Sequence, residues 1–299
     1  MEIVVFGAGS LGSLVGGLLA QVHDVTLVTR SAHADAIREH GLELTGEFET
    51  VVHPEVTTDG SDLAADLAVV AVKSFDTETA ARTLSTGRFD AVCSLQNGMG
   101  NEATLETHLD APILAGTATY GAVRREPGVV DCTGLGEVVL GAHDGGPSPV
   151  ADRVGTAFDA ADLETTVADD MPRRLWEKLA VNAGINAVTA LARTENGAVL
   201  ERPAIEIART ATREAARTAR ARDVSLSNRE ALAAMTSVAE RTATNTSSMC
   251  QDVRAGRRTE IDAINGFVVD GAEATGLEVP TNRVLTALIR TWERGQGIR

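Results

Sequence analysis

The sequence predicts an α/β chain in two parts, a strand–helix part over residues 1–168 and an all-helical part over residues 169–299. Three observations carry this. Strand-length apolar runs alternate with helix-periodic segments in the first half, the order that builds parallel βαβ units. A glycine-rich turn, GAGSLG at residues 7–12, stands between the first strand and the first helix. From about Asp169 to the end, helical periodicity continues and no stretch reads as a strand.

Taken in order, EIVVF is the first strand, LGSLVGGLLAQ has helical spacing, and DVTLVTR is the second strand. Further strands read at LAVVAVK, AVCSLQ, ILAGTATYGAV, GVVDCT, EVVLGA and LETTVA, the later ones spaced closely enough to predict an antiparallel addition. GAHDGGPSPV is a loop, and Ser148-Pro149 opens one more helix. The pattern changes between Asp169 and Pro172. DDMPRRLWEKLA then begins the helical part, and RPAIEIARTATREAARTARARD is a long helix with charge pairs at i,i+4.

The turn at residues 7–12 matches GxGxxG, and it follows a strand and opens a helix as the dinucleotide fingerprint requires. Gly7 allows a tight turn, Gly9 a close approach of backbone to a pyrophosphate, and Gly12 close packing of helix on strand. With Ala8, Ser10 and Leu11 they form the loop whose free N–H groups meet the anion. The first part is therefore read as a Rossmann-type dinucleotide-binding domain. Its second strand ends at Arg30, where an NAD-binding fold places Asp or Glu. An arginine there suits a 2′-phosphate, hence NADP(H), and Ser31 adds a donor. Lys73 and Asn97 follow the strands LAVVAV and AVCSLQ, at the carboxyl ends where ligands bind in open α/β sheets.

Composition excludes several functions. A net charge of −15 argues against nucleic acid and anionic membranes. No apolar run approaches the roughly 18 residues of a membrane span, and the N-terminus lacks a basic region and a cleavage site. The three cysteines, Cys93, Cys132 and Cys250, are far apart, which suits a reducing compartment, so a cytoplasmic location is expected. All six histidines precede residue 144 without ligand-like spacing, so no metal is expected. The excess of carboxylates with only two lysines suits solubility in concentrated salt; a GC-rich genome is a compatible explanation. Nothing in the sequence sets the oligomeric state, and a homodimer remains open.

One of the two lysines lies in LWEKLAVNAGIN, where Lys178, Asn182 and Asn186 stand at i, i+4 and i+8 on one helix face. Asparagine is a poor helix former, and the flanking residues are apolar, so the stripe calls for a partner. Reduction of a carbonyl needs a proton donor. The helical part has no histidine or tyrosine, and Tyr120 is followed four places on by Arg124, so no Tyr-x-x-x-Lys pattern exists. The candidates are Lys178 or a carboxyl group; arginine stays protonated and cannot serve. A second polar stretch, TNTSSM, offers Asn245, Ser247 and Ser248 as donors to a substrate carboxylate. TEID reads as a helix start, with Thr259 as N-cap, Asp262 in the capping-box position and Glu260 in the first turn. Spacing alone leaves Glu260 as dipole compensation or as a site residue.

The glycine loop, QNGMG, LWEKLAVNAGIN and above all NTSSMCQDVRAGRRTEIDAINGF resemble the ketopantoate reductase (2-dehydropantoate 2-reductase) family over nearly the whole chain. The resemblance implies a Rossmann-type domain followed by an all-α domain of the 6-phosphogluconate dehydrogenase C-terminal type. It implies reduction of 2-dehydropantoate to (R)-pantoate with NADPH, on the route to pantothenate and coenzyme A. By motif, Lys178 resembles the proton donor, and Asn182, Asn186, Asn196, Asn245 and Ser248 resemble substrate contacts. Asn97 resembles a residue touching cofactor and substrate, and Glu260 a carboxylate near the nicotinamide. Ala122 matches a backbone contact to the cofactor; Arg30 and Lys73 match its cations. The segment after Lys73, SFDTE, departs from the family pattern. The alternatives are reduction of another 2-oxo acid or an imine on the same scaffold, and a non-catalytic NADP-sensing protein.

Overall fold

In the computed structural model, which describes residues 1–299, the chain divides into two units. One comprises Met1–Gln96 and Asn101–Met171, the other Asn97–Gly100 and Pro172–Arg299.

The first unit runs β1 (Glu2–Phe6), α1 (Ser10–Leu19), β2 (Asp24–Val28), α2 (Ser31–His40), then three short strands, β3 (Leu42–Gly46), β4 (Thr50–Val52) and β5 (Glu55–Thr57). It continues with β6 (Ala64–Val70), α3 (Thr77–Leu84), β7 (Arg88–Ser94), α4 (Asn101–Glu106) and β8 (Ile113–Ala118). β9 (Gly121–Glu126), β10 (Val129–Gly134), β11 (Val138–Ala142), α5 (Pro149–Asp159) and β12 (Thr165–Val167) complete it. Eight strands form one sheet in the order β12-β11-β8-β7-β6-β1-β2-β5. All neighbours in it are parallel except β11 on β8. The central strands read as continuous apolar runs because both faces are covered: Leu67 to Val70 are each 0% exposed. From β1 the chain passes to β2 on one side and later returns to β6 on the other, so the glycine loop stands at the switch point.

The expected antiparallel pairing of the later strands occurs in β11 on β8 and in β9 on β10, but the second sheet that β9 and β10 build with β3 and β4, in the order β4-β3-β10-β9, was not expected. β3, β4 and β5 carry no strand signal in the sequence, and ILAGTATYGAV was expected to form one strand. That stretch is two strands in different sheets. It breaks at Thr119 and Tyr120, where Thr119 N–H donates to Glu137 O at 3.0 Å and the Tyr120 hydroxyl accepts from Glu164 N–H at 3.0 Å. The expected helix after Ser148 forms as α5, with Ser148 Oγ accepting from Ala151 N–H at 3.2 Å.

The second unit is helical: α6 (Met171–Ala192), α7 (Ala204–Ala221), α8 (Asn228–Arg241), α9 (Ser248–Arg254), α10 (Phe267–Ala274) and α11 (Pro280–Gly295), with a π-helical turn at Asp262–Gly266 before α10. The α7 face is alanine: Ala208, Ala211, Ala215, Ala216 and Ala219 are all 0% exposed. Small residues let α6 come close, and a Cβ on Gly184 would lie 2.3 Å from Thr212 Oγ1. Buried amides and one carboxylate tie the helices. Glu214, 3% exposed, accepts from Thr281 N–H (3.1 Å), Asn282 N–H (2.9 Å) and Asn282 Nδ2 (2.8 Å), closing the first turn of α11. Asn282 Nδ2 also reaches Ala211 O at 3.1 Å, and Asn265 Nδ2 donates to Ala183 O at 3.0 Å.

The capping box expected at Thr259 and Asp262 does not form. Thr259 Oγ1 does accept from Ile261 N–H at 3.3 Å, but Asp262 pairs with Arg290 at 2.7 Å and with Arg299, charges from far along the chain that outcompete a local cap. The capping box of this unit is Ser227 with Glu230, at the start of α8. No helix is long and apolar enough to cross a membrane.

Glu214→Ala should lower the unfolding free energy by roughly 3 kcal/mol, since it strands buried donors of α11. Urea unfolding checks this, and a loss below about 1 kcal/mol would show that the carboxylate is dispensable.

Candidate functional site

In the first unit the site begins at the glycine loop. Gly7 has φ +104°, and a Cβ there would meet Val72 Cγ1 at 2.5 Å. Gly12 packs α1 onto the loop so closely that a Cβ would lie 2.3 Å from Gly7 O. Gly9 differs: its Cβ direction meets only Gly7 O, at 3.9 Å, so the space beside it is left for something other than this chain. The first intrahelical bond of α1 is Ser13 N–H to Gly9 O at 3.0 Å, which leaves the N–H groups of Ser10, Leu11 and Gly12 as donors for an anion. An open cradle, a helix N-terminus and a sheet switch point fit a dinucleotide pyrophosphate.

Around the loop, Arg30 follows β2, is exposed, and is the N-cap residue of α2, with Ser31 opening that helix. Lys73, half-buried, follows β6. Ala122 lies on β9, which packs against α1. A buried network fixes the segments after β6 and β7: Gln96 Nε2 donates to Val72 O (3.1 Å) and Thr77 Oγ1 (2.7 Å), and Thr77 Oγ1 reaches Asn101 Oδ1 at 2.9 Å. Cys93, 0% exposed, has its thiol pushed up to about 12 by burial and is a core residue rather than a reactive one.

His33, 2% exposed, links α1 to α2 and was not marked by the sequence reading. Its Nδ1 accepts from Gly128 N–H at 2.8 Å, so its Nε2 carries the proton and donates to Ser13 Oγ at 3.0 Å. Burial, and then the charge of Arg124, push it from 6.5 down to about 4.

In the second unit Lys178 and Asn182 are half-buried and Asn186 is 6% exposed, all on one face of α6. At about 100° per residue, Gly184 and the α7 contact lie on the opposite side of that helix. Lower on α6, Thr189 Oγ1 donates to Ile185 O (2.9 Å) and Asn186 O (3.1 Å), and stands 2.7 Å from Ser247 Oγ. Ser247 Oγ also accepts from Cys250 N–H at 3.2 Å as the N-cap of α9. Ser247, expected as a donor to substrate, thus also has a partner 58 residues away, which the sequence could not show. The adjacent Ser248 is half-buried, and Asn245 is exposed.

Asn196 joins this cluster. Its N–H donates to Asn245 O at 2.9 Å and its Nδ2 to Thr242 Oγ1 at 2.9 Å, while its buried Oδ1 has no partner. The structure thus brings Asn186, Asn196, Asn245 and Ser248 to one end of α6. Asn97 clusters with this unit, two residues before Met99 N–H donates to Ala263 O at 3.0 Å. Glu260, 5% exposed, precedes the π turn and is flanked by two anchors. On one side, buried Glu293 holds Thr259 N–H (2.8 Å) and Oγ1 (2.7 Å); on the other, Asp262 holds Arg290.

Known proteins resemble the chain along its length. The family described as Ketopantoate reductase PanE/ApbA matches residues 3–145, and Ketopantoate reductase PanE/ApbA C terminal matches residues 170–293. The 2-dehydropantoate 2-reductase of Halobacterium salinarum is 45% identical, over 98% of this chain and 99% of that protein. The crystal structure of a PanE/ApbA family ketopantoate reductase from Ralstonia eutropha superposes with a TM-score of 0.92 at 34% identity, covering 99% of this chain and 100% of that one. D-mandelate dehydrogenase, in a ternary structure with NADH and anilino(oxo)acetate, superposes with a TM-score of 0.93 at 25% identity, covering 100% of both chains.

Because His33 is neutral when folded and its folded value lies below 6.5, the unfolded chain takes the proton first as pH falls. The stability it contributes is complete above pH 6.5 and is lost between 6.5 and about 4, at about 1.4 kcal/mol per pH unit. Urea midpoints over that range should fall less steeply in His33→Gln; equal slopes would remove His33 from the acid response.

Proposed function

The chain belongs to the ketopantoate reductase family, and from that premise we propose that it reduces 2-dehydropantoate to (R)-pantoate with NADPH, Lys178 giving the proton. The product feeds pantothenate and coenzyme A synthesis, and the three buried free thiols accord with a reducing cytoplasm. The observation that carries the reading is the stripe on α6: one of two lysines, half-buried, above two asparagines on a helix whose other faces are packed.

The glycine loop and the first turn of α1 take the pyrophosphate, Arg30 the 2′-phosphate, and Lys73 and the Ala122 backbone the rest of the cofactor on that side. When bound, the nicotinamide supplies the hydride. Everything else is done by this chain. Lys178 Nζ donates a proton to the ketone oxygen as charge develops there, and recovers it from water. A lysine suits this, because an ammonium, unlike a guanidinium, can release its proton. Asn182 and Asn186 hold the oxo acid along the same face. Asn245 and Ser248 donate to its carboxylate, with Asn196 beside them as a further contact. Asn97 and Glu260 orient the reacting end, Glu260 being fixed by the bonds to Thr259 and Asp262. Positioning and stabilisation of the alkoxide account for most of the acceleration.

A second reading is favoured by the likeness to D-mandelate dehydrogenase: a different 2-oxo acid on the same scaffold. NADPH oxidation at 340 nm in molar KCl, with 2-dehydropantoate and with phenylglyoxylate, separates the two, and NADH run in parallel tests the cofactor. Turnover of 2-dehydropantoate with NADPH preferred supports the first reading. Turnover of the aryl acid alone supports the second, and binding of NADPH without any turnover supports a sensor.

Lys178→Ala should lower kcat by roughly 100- to 10,000-fold, the range of general acid catalysis, with NADPH affinity nearly unchanged. A near-normal kcat in that variant removes Lys178 from the chemistry.

A further inference from the structure

We propose that Arg124 is a second cation for the cofactor's 2′-phosphate, acting with Arg30. This rests on the NADPH reading above and names a residue that neither the glycine motif nor the second-strand rule marks.

β9 pairs with β10 so that Ala122 opposes Cys132 and Arg124 opposes Val130. Directly opposed residues share a face of the sheet. Val130 and Cys132 are 0% and 1% exposed, in the core that also holds Leu14, Val15 and Leu18 of α1. The Arg124 stem therefore leaves β9 on the side where α1 packs, the side Ala122 also takes. Arg125, the next residue, takes the other face, where its Nε is held by Asp131 at 3.0 Å.

Two bonds fix where this strand lies. The Arg124 N–H donates to the hydroxyl of Ser10, the first residue of α1, at 3.0 Å. Past the end of β9, Gly128 N–H donates to His33 in the first turn of α2, whose N-terminus is Arg30. The Arg124 charge is felt at His33. Arg124 thus stands within reach of both helix N-termini, one expected to meet the pyrophosphate and the other the adenosine ribose. The 2′-phosphate is carried on the 2′-oxygen of that ribose. A guanidinium offers it forked, charge-assisted donors. Such a cation is needed here, because a chain of net charge −15 otherwise repels a phosphate dianion.

The test uses two adenine nucleotides that differ by one phosphate, 2′,5′-ADP and 5′-AMP, with binding to the full chain read by calorimetry. Wild type should prefer 2′,5′-ADP, and Arg124→Ala should cut that preference by about tenfold, the worth of one charge-assisted hydrogen bond, while 5′-AMP binds as before. Arg124→Lys, which keeps the charge without the fork, should fall between, and Arg125→Ala should match wild type. Equal weakening of both nucleotides in Arg124→Ala would assign the residue to the fold and overturn the proposal. An unchanged preference would do the same, and if Arg30→Ala still abolished it the NADPH reading would stand alone. No preference in wild type would overturn the NADPH reading and this proposal together. Should Arg124→Ala fail to fold, the lysine variant decides: a wild-type preference there, against the expected reduction, overturns the proposal.

Discussion

The constraint on which the site of the first unit depends is the close approach of α1 to the loop before it. With a Cβ at Gly12 falling 2.3 Å from Gly7 O, helix and loop touch backbone to backbone. That contact sets the height of the helix N-terminus above β1, and the direction in which its free N–H groups point follows from it. His33 then reads α1 through Ser13, and β9 reads it through Ser10, so both neighbours are placed relative to the same helix. The cradle is rigid because its position depends on peptide atoms, which have fewer ways to adjust than side chains.

An acidic protein that binds an anionic cofactor must solve a local problem inside an unfavourable global field. Arg30 and Lys73 come from different strand ends, so the chain assembles positive potential from separated places. The acidic surface then serves solubility without governing the site, since in salt its reach is about a Debye length or less.

Several features were legible because they are local. The glycine loop is a contiguous pattern whose strand and helix can be read on either side, and the α6 stripe needs only helical spacing and one unusual lysine. Other features depend on partners far along the chain. β3 is five residues with an exposed Glu43, and it becomes a strand by pairing with β10. Asp262 looks like a cap until Arg290 and Arg299 arrive, and nothing local to Ser247 shows its contact with Thr189. In each case the residue type was read correctly as polar and anchored, and the anchor was misplaced. Glu214 and Asn282 carried no signal, since a glutamate in an Ala/Arg helix and an asparagine after a proline both read as surface.

The alanine face of α7 has a mechanical consequence. A row of methyl groups is nearly featureless, so apolar packing alone would let α6 slip along α7 by a helical turn, about 5.4 Å, at small cost. The amides of Asn265 and Asn282, reaching Ala183 O and Ala211 O, act as detents: each can be satisfied in one alignment only. What this indexing secures is the axial coordinate of Lys178, which rides on α6.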